Sequence, residues 1–306
     1  KTYKIAVQSL RNNRNPNIKC EIIKSGLRPN SQKWLGKNWA CYKATINIKT
    51  NWILFIDADI TLNRNTLKAA LYKAKKEKID LLSLAPRIKP SCLSEWIVQP
   101  IMGILLAIGF PIAQVNNKSS SKAFAAGPFM LFNAKTYKQI GGHQAVSNEI
   151  VEDIALARKI KLNGYNLNFS LGLDALEIRM YRNFNSLWEG WSKNWFIGLD
   201  RNLSKSFGSS IIVLWIFTLP WLLTAIYLNL ALESYKGIYL FGLGLSITSI
   251  LLQYFLRRWM NKYFKLDSDY WWLMGFGGLI VSAISQASTI KTITRKNWTW
   301  KGRSLG

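Results

Sequence analysis

The sequence predicts an α/β domain followed by a membrane region, and three observations support this prediction. Residues 1–208 alternate amphipathic segments with short apolar, β-prone runs, which is typical of a parallel α/β sheet. Residues 209–232 and 237–256 carry no charge, and each is long enough to cross a bilayer. The basic excess is divided unequally, with a net charge of +18 in residues 1–208 and +7 in residues 209–306.

The composition excludes several classes of protein. Of the 306 residues, 49% are hydrophobic and only 19% are charged, which excludes a disordered chain. Three cysteines in a chain of this length exclude a small disulfide scaffold, and Cys20, Cys41 and Cys92 fit no metal-ligand spacing. The 41 Lys and Arg against 16 Asp and Glu suggest nucleic acid or an anionic membrane as partner, and the 14 Trp favour the membrane.

The elements of the first domain follow from local periodicity and from the residues that break it. Ile5, Ala6 and Leu10 on one face predict a helix over residues 1–12, which Asn and Pro at residues 13–17 end. Amphipathic periodicity predicts further helices over residues 38–49 and 62–78, a short one before Gly141, and one that begins near Glu152. Apolar runs predict strands at residues 20–23, 51–56, 81–84 and 127–132.

Two more apolar segments complicate the membrane topology. Residues 96–113 are uncharged, but their two prolines favour an interfacial helix over a span. Residues 270–290 are apolar and richer in Gly and Ser. If the basic first domain is cytoplasmic, two spans return Arg257, Arg258, Lys262 and Lys265 to its side. A third span would export a basic tail, so we expect residues 270–290 to be re-entrant or interfacial; the tail contains Lys291, Arg295, Lys296, Lys301 and Arg303.

Asp57-Ala58-Asp59 follows directly on the predicted strand at residues 51–56. Open α/β sheets place ligands at the carboxyl ends of their strands. Two carboxylates two residues apart can both reach one hard cation such as Mg²⁺ or Mn²⁺, which typically bridges substrate phosphates. A solvated loop is the alternative, although acidic residues rarely end a buried strand in a basic domain.

Glu152 and Asp153 stand at the beginning of a predicted helix, whose apolar face contains Ile154, Ala157 and Ile160. One interpretation is compensation of the helix dipole. The other is a general base held beside a cleft.

His143 is the only histidine, and a lone histidine is either structural or a polar contact in a site. Trp188, Trp191 and Trp195 precede the first apolar span. They predict either membrane-interface anchors or, together with Lys193, a wall over a sugar or diphosphate.

The ordered set of motifs resembles the membrane-bound family 2 glycosyltransferases. The nearest similarity is to bacterial enzymes of hopanoid and carotenoid glycosylation, and more distantly to ceramide glucosyltransferases. The motifs, in chain order, are Trp34-Leu35-Gly36-Lys37-Asn38-Trp39-Ala40, Asp57-Ala58-Asp59, Gly127-Pro128-Phe129-Met130-Leu131-Phe132, Gly141-Gly142-His143, Glu152-Asp153-Ile154-Ala155-Leu156-Ala157, the segment from Trp188 to Trp195, and Trp300-Lys301-Gly302-Arg303.

The resemblance implies a GT-A fold, a Rossmann-like sheet that binds a nucleotide-sugar, and a direct, inverting displacement at the anomeric carbon. Asp57 and Asp59 would hold a divalent metal, Mg²⁺ or Mn²⁺, and Asp153 with Glu152 beside it would deprotonate the acceptor. The implied donor side contains Gly36, Lys37, Asn38, Asp57, Lys193 and Trp195. The implied acceptor side contains Gly127, Pro128, His143, Trp188 and Trp191.

Two departures from the family pattern refine these expectations. Family members have an earlier strand followed by an Asp that contacts the nucleotide base. We find no such strand, so we expect a truncated chain whose own activity stays open. Processive relatives carry Gln-x-x-Arg-Trp, of which only Trp195 is matched here, with Lys193 as the nearest cation. Transfer of one sugar is therefore expected rather than polymer synthesis.

The expected partners are a nucleotide-sugar donor, a lipid-like hydroxyl acceptor such as a carotenoid, hopanoid or glycolipid, and membrane lipids. A processive polysaccharide synthase is the alternative within the class. The alternative outside it is a basic, membrane-anchored binding protein without enzymatic activity. Nucleic acid is not expected, because the aromatic–basic interleaving of single-strand binders is absent. We expect an integral membrane protein with its catalytic domain, residues 1–208, on the cytoplasmic face.

Overall fold

The computed structural model describes residues 2–12, 18–296, 298–300 and 303–304. Lys301 and Gly302 of the last motif lie outside these residues. The structure confirms an α/β unit followed by long apolar helices. The expected boundary between residues 208 and 209 falls inside a helix, Leu203–Val213.

The central sheet has the strand order β1-β4-β3-β5-β2. Its strands are β1 (Trp52–Ile56), β2 (Ile60–Leu62), β3 (Leu81–Ile88), β4 (Phe129–Asn133) and β5 (Leu167–Ile178). The expectation of a parallel sheet is correct only for β3 and β5, because β4 runs antiparallel to both of its neighbours and β2 antiparallel to β5. The strand expected at residues 20–23 does not form, since that segment has no strand partner among the described residues.

Helices cover both faces of the sheet and extend from its end. They are α1 (Thr2–Asn12), α2 (Gly36–Thr45), α3 (Thr66–Lys76), α4 (Leu93–Gly109), α5 (Ile112–Asn116), α6 (Ala134–Gln139), α7 (Glu152–Leu162) and α8 (Phe184–Gly198). Side chains alternate across β4, so that Met130 and Phe132 join the core beneath α7 while Phe129 and Leu131 join the core beneath α3. Both faces of β4 are thereby buried.

The apolar C-terminal part contains three helices that are long and apolar enough to cross a membrane: Leu203–Glu233, Gly237–Phe264 and Trp271–Thr294. The first consists of α9 (Leu203–Val213), a π-helical turn (Leu214–Thr218) and α10 (Leu219–Glu233). The second is α11 (Gly237–Phe264). The third is a 3-10 turn (Trp271–Leu273) followed by α12 (Met274–Thr294), after which β6 (Thr299–Trp300) and β7 (Arg303–Ser304) form a short hairpin. The segment expected at residues 96–113 divides into α4 and α5 at Phe110 and Pro111.

Gln253 of α11 satisfies the backbone at the π-helical turn. Pro220 has no N–H, so the carbonyl of Ile216 loses its usual helical donor. The Gln253 amide nitrogen donates to the Ile216 oxygen at 2.8 Å and to the Phe217 oxygen at 3.3 Å. Its amide oxygen accepts the indole N–H of Trp221 at 3.0 Å. In an apolar surrounding these polar groups need internal partners, so Gln253 fixes the pairing of the first two long helices.

Gln253→Leu is expected to destabilise the folded protein by about 1–2 kcal/mol, because it leaves the Ile216 carbonyl and the Trp221 indole without partners. Thr248→Ala is the matched control, since Thr248 is exposed on the same helix and donates only to the Gly244 carbonyl of that helix. Thermal unfolding in detergent measures the difference. Equal midpoints for the two variants would contradict the assignment.

Candidate active site

Four segments of the chain converge at the carboxyl end of β1. They are the first turn of α2 with Lys37, the end of β1 with Asp57, the turn before β4 with Gly127, and the first turn of α7 with Glu152 and Asp153. The backbone N–H of Asp57 donates to the Pro128 carbonyl at 3.3 Å, which continues the β1–β4 ladder into the site.

The Lys37 ammonium links the beginning of α2 to the end of β1 and to the beginning of α7. Its nitrogen lies 3.0 Å from an oxygen of Asp57 and 2.7 Å from an oxygen of Glu152. Burial opposes the charged ammonium, but the charges of Glu152, Asp57 and Asp153 outweigh it and raise the pKa of Lys37. Burial likewise opposes the charge of Glu152, yet Lys37 holds the pKa of that carboxyl below its ordinary value. Glu152 and Lys37 therefore form an ionised pair.

Asp153 has a different environment from the adjacent Glu152. One of its oxygens accepts the Gly127 N–H at 2.9 Å, and the other accepts the N–H of Ile154 at 2.8 Å. Burial and the negative charge of Glu152 raise the pKa of Asp153 to about 6, although Lys37 and the two N–H donors oppose the rise. Two adjacent carboxyls whose pKa values move in opposite directions are typical of acid–base sites.

The glycine at position 127 permits this approach. A Cβ there would lie 3.0 Å from an Asp153 oxygen and 3.4 Å from the Lys37 nitrogen. The same turn is fixed from the sheet side, because the Ser83 hydroxyl accepts the Ala126 N–H at 2.8 Å. The predicted acceptor-side pair Gly127 and Pro128 is thus held rigidly beside Asp153.

Lys193 of α8 completes the charged cluster. Burial lowers its pKa, whereas Glu152 and Asp153 act in the opposite direction. Helix α8 is held from its other side by α12. The Lys291 ammonium donates to the Ser192 hydroxyl at 3.2 Å, and the Ser288 hydroxyl accepts the Phe196 N–H at 2.9 Å.

Asn38 was expected on the donor side, and the structure gives it another position. Its side-chain amide is 1% exposed and donates to the carbonyls of Val146, Ser147 and Glu149 at 2.7, 3.2 and 2.9 Å. Asn38 therefore fixes the loop that leads into α7 and does not face an open donor pocket. Gly36, the other expected neighbour, is exposed at the beginning of α2.

His143 lies beneath the cluster and not at its surface. It is 1% exposed, its ring packs 4.7 Å from that of Phe55, and its Nδ1 lies 2.7 Å from the hydroxyl of Tyr137. Burial lowers the pKa of His143 to about 4, so the ring is neutral. At this depth the His143 ring is not placed for the direct contact with an acceptor that we expected.

The tryptophans of α8 also differ from expectation. Trp191 and Trp195 are buried in a core formed with α4 and α12, and the Trp191 indole donates to Gln99 at 3.0 Å. They cannot form the exposed wall of a donor or acceptor pocket. Trp188 is half-buried and packs 5.7 Å from the ring of Phe184.

Asp59 is exposed in the turn between β1 and β2, next to the charged cluster in sequence. The described residues contain no group of three or more His, Cys, Asp or Glu side chains that could hold a metal ion by themselves. Together, the exposed Asp59 and the partly exposed Asp57 fit Mg²⁺ or Mn²⁺ only where a bound phosphate and water supply the other ligands, which is a common arrangement for Mg²⁺.

Two residues near the cluster were not expected from the sequence to lie at the site. Cys41 lies one helical turn after Lys37, and burial raises the pKa of its thiol to about 11. The spacing of four residues on a predicted helix was a usable signal for this proximity. The Tyr137 hydroxyl accepts the backbone N–H of His143 at 3.0 Å. No sequence pattern indicated this contact, because tertiary packing brings the two residues together.

The fold thus places a partly buried charged cluster in an α/β unit that is joined to helices long and apolar enough to cross a membrane. The chain belongs to glycosyl transferase family 21, whose sequence model matches residues 7–305. This match confirms the resemblance to membrane-bound glycosyltransferases that the motifs predicted. Over 189 residues the chain is 31% identical to the 4,4'-diaponeurosporenoate glycosyltransferases of Staphylococcus aureus strains MRSA252, USA300 and NCTC 8325. The aligned region covers 60% of this chain and 49% of each relative, so the chain spans about half the length of the curated relatives it matches.

Asp153→Asn is expected to stabilise the folded protein above pH 6. The pKa of Asp153 rises from an ordinary 3.8 to about 6 on folding. Below pH 4 the carboxyl is protonated and the folded protein has its full stability. That stability is lost as the pH rises through 6, because the buried carboxyl must then ionise. Removing the charge should recover about 1–3 kcal/mol at pH 8 and nothing at pH 4. Thermal unfolding as a function of pH measures this, with the exposed Asp59→Asn as control. A pH-independent difference would contradict the buried-charge assignment.

Proposed function

We propose that this chain is the catalytic and membrane part of an inverting glycosyltransferase. It transfers one sugar from a nucleotide-sugar to a hydroxyl of a lipid-like acceptor. The observation that carries the proposal is the charged cluster around Lys37. The Lys37 ammonium lies between Asp57, at the end of a strand, and Glu152, which stands next to Asp153 at the beginning of a helix. The two sides provide a place for a donor diphosphate and a base for an acceptor.

On the acceptor side, Asp153 removes the proton of the attacking hydroxyl. The acceptor oxygen forms a bond to the anomeric carbon while the bond to the diphosphate oxygen breaks, and the electron pair leaves with the nucleoside diphosphate. The pKa of Asp153 near 6 keeps the carboxyl ionised at neutral pH and makes it a stronger base than an ordinary aspartate. Ionised Glu152 supports this basicity, and the N–H of Gly127 orients the carboxylate.

On the donor side, Lys37 and Lys193 place positive charge beside Asp57. These charges are suited to a diphosphate, and their electrostatic effect is largest where water is excluded. Asp59, and the second oxygen of Asp57, would hold a divalent metal together with the diphosphate. Such a metal, when bound, offsets the negative charge that develops on the leaving group.

The acceptor and the orientation are inferred from the membrane region. Apolar helices attached directly to the catalytic unit favour an acceptor that resides in the bilayer. Similarity to enzymes named for a carotenoid acid supports an acceptor of the carotenoid type. The basic catalytic unit, and the basic residues at the end of α11, favour the cytoplasmic face.

Asp153→Asn is expected to lower sugar transfer by about 100- to 10,000-fold, because the acceptor loses its general base. Glu77→Gln is the control, since Glu77, the residue directly after α3, is exposed and pairs with Lys73. Transfer of radiolabelled sugar to membrane lipid, in a form with the full length of the relatives, measures both. Retention of the original rate in Asp153→Asn would exclude this residue as the base.

Lys37→Met is expected to move the acid limb of kcat/KM to higher pH. The limb should lie near pH 6 in the original protein, since Asp153 must be ionised to act. Lys37 lowers the pKa of Asp153, so its removal raises that pKa and reduces activity at pH 6 more than at pH 8. Lys73→Met, an exposed lysine of α3, is the matched control. An unshifted limb would contradict the assignment of Asp153.

A further inference from the structure

Helix α12 starts halfway along the first long helix and not at its end. The Thr218 hydroxyl donates to the Gly275 carbonyl at 2.8 Å, and Gly278 leaves no room for a Cβ against Thr218. The ring of Trp271 lies 6.1 Å from that of Trp221. Thr218 is near the middle of Leu203–Glu233, so the start of α12 is level with the middle of that helix.

Beyond this level α10 and α11 continue as a two-helix hairpin. Thr224 donates to Ser246 at 2.9 Å, and Gly242 lies against the ring of Tyr227. The twelve residues from Leu222 to Glu233 extend about 18 Å past the start of α12. A bilayer core of about 30 Å that encloses the hairpin would therefore contain only the first turns of α12.

Both ends of α12 are connected to the catalytic unit. Before it, Lys265 pairs with Asp174 of β5, and the ring of Tyr270 lies 5.8 Å from that of Trp96 at the beginning of α4. The buried Arg257 holds this connection, since its guanidinium donates to the carbonyls of Asp267 and Asp269 at 2.8 and 3.0 Å. After it, Thr299 donates to Glu189 of α8 at 2.8 Å.

The polar and the apolar side chains of α12 lie on different faces, as in a helix that contacts lipid on one side only. Its polar face is inside, where Ser285 lies 3.1 Å from Ser206 and Gln286 donates to Ser210 at 2.7 Å. Its exposed face is one apolar stripe along the whole helix, and α9 presents a similar stripe. The stripe of α12 contains Phe276, Leu279, Ala283, Ile290 and Ile293, and Trp272 of the preceding 3-10 turn continues it. That of α9 contains Leu203, Phe207 and Ile211, and Trp215 of the π-helical turn continues it.

We propose that α12 does not cross the bilayer. It lies half-inserted in the leaflet next to the catalytic unit, with the first turns of its apolar stripe, at Phe276 and Leu279, covered by acyl chains of that leaflet and its inner face bracing α8. Lipid is the occupant because the stripe is continuous with the exposed apolar surface of the α10–α11 hairpin. An apolar stripe of this length would be unfavourable if it were exposed to water. The described residues then cross the membrane twice, and the segment that directly follows α12 lies on the catalytic side.

Epitope tags at the N-terminus, in the turn at residues 234–236 and at the C-terminus test the topology in sealed vesicles treated with protease. The N-terminal and C-terminal tags are expected to be cleaved in the same vesicle orientation, and the turn tag in the opposite one. A C-terminal tag that behaves like the turn tag would establish a third crossing and overturn the proposal. The readout does not require sugar transfer, so it is independent of the proposed function.

Photo-crosslinking tests the occupant of the stripe. A photoreactive phenylalanine in place of Phe276 or Leu279 is expected to crosslink to phospholipid in native membranes, whereas the same residue in place of the exposed Glu77, which follows α3, should not. A crosslinked dimer of the chain at Leu279 would identify a second copy as the occupant. Absence of lipid adducts at both positions, with reaction to water only, would place the stripe in solvent. Either of these two results would overturn the lipid assignment.

Discussion

The site depends on one ammonium group shared by two carboxylates from distant parts of the chain. Lys37 lies 3.0 Å from Asp57 and 2.7 Å from Glu152, and this contact fixes the beginning of α2, the end of β1 and the beginning of α7 relative to one another. Like-charged carboxylates this close would repel in a partly buried setting, so the lysine is a condition for the cluster to exist. The raised pKa of Asp153 reflects its burial and the part of the repulsion from Glu152 that Lys37 leaves uncompensated.

The membrane region does more than attach this site to a bilayer. Lys193 reaches the cluster from α8, and α8 has α12 against its other side through Ser192 and Phe196. The polar face of α12 is directed into the protein, where Ser and Gln side chains pair with α9. Because polar contacts replace a hydrophobic driving force between such helices, the same seam that organises the apolar region also sets the position of a charged group in the site.

Local pattern was sufficient for much of the fold. The strand at residues 51–56 was predictable because an apolar run ends abruptly in carboxylates, and the helix at Glu152 because its apolar face repeats at helical spacing. Strand β5 was missed although Leu167, Phe169 and Leu171 alternate with polar residues, which was an available signal. The strand expected at residues 20–23 shows the opposite error, since β-propensity without a neighbouring strand does not make a sheet.

The identity of the charged residues, their places at a strand end and a helix beginning, and the apolar runs of spanning length were determined by the sequence itself. The tertiary structure alone decided which of these residues meet. It joined Lys37 to Glu152, buried His143, Trp191 and Trp195, and turned Asn38 toward the loop before α7. It also made β4 antiparallel to its neighbours and set the start of α12 beside Thr218. The reason is physical: periodicity and propensity act over a few residues, whereas burial and charge pairing depend on segments that are far apart in the chain.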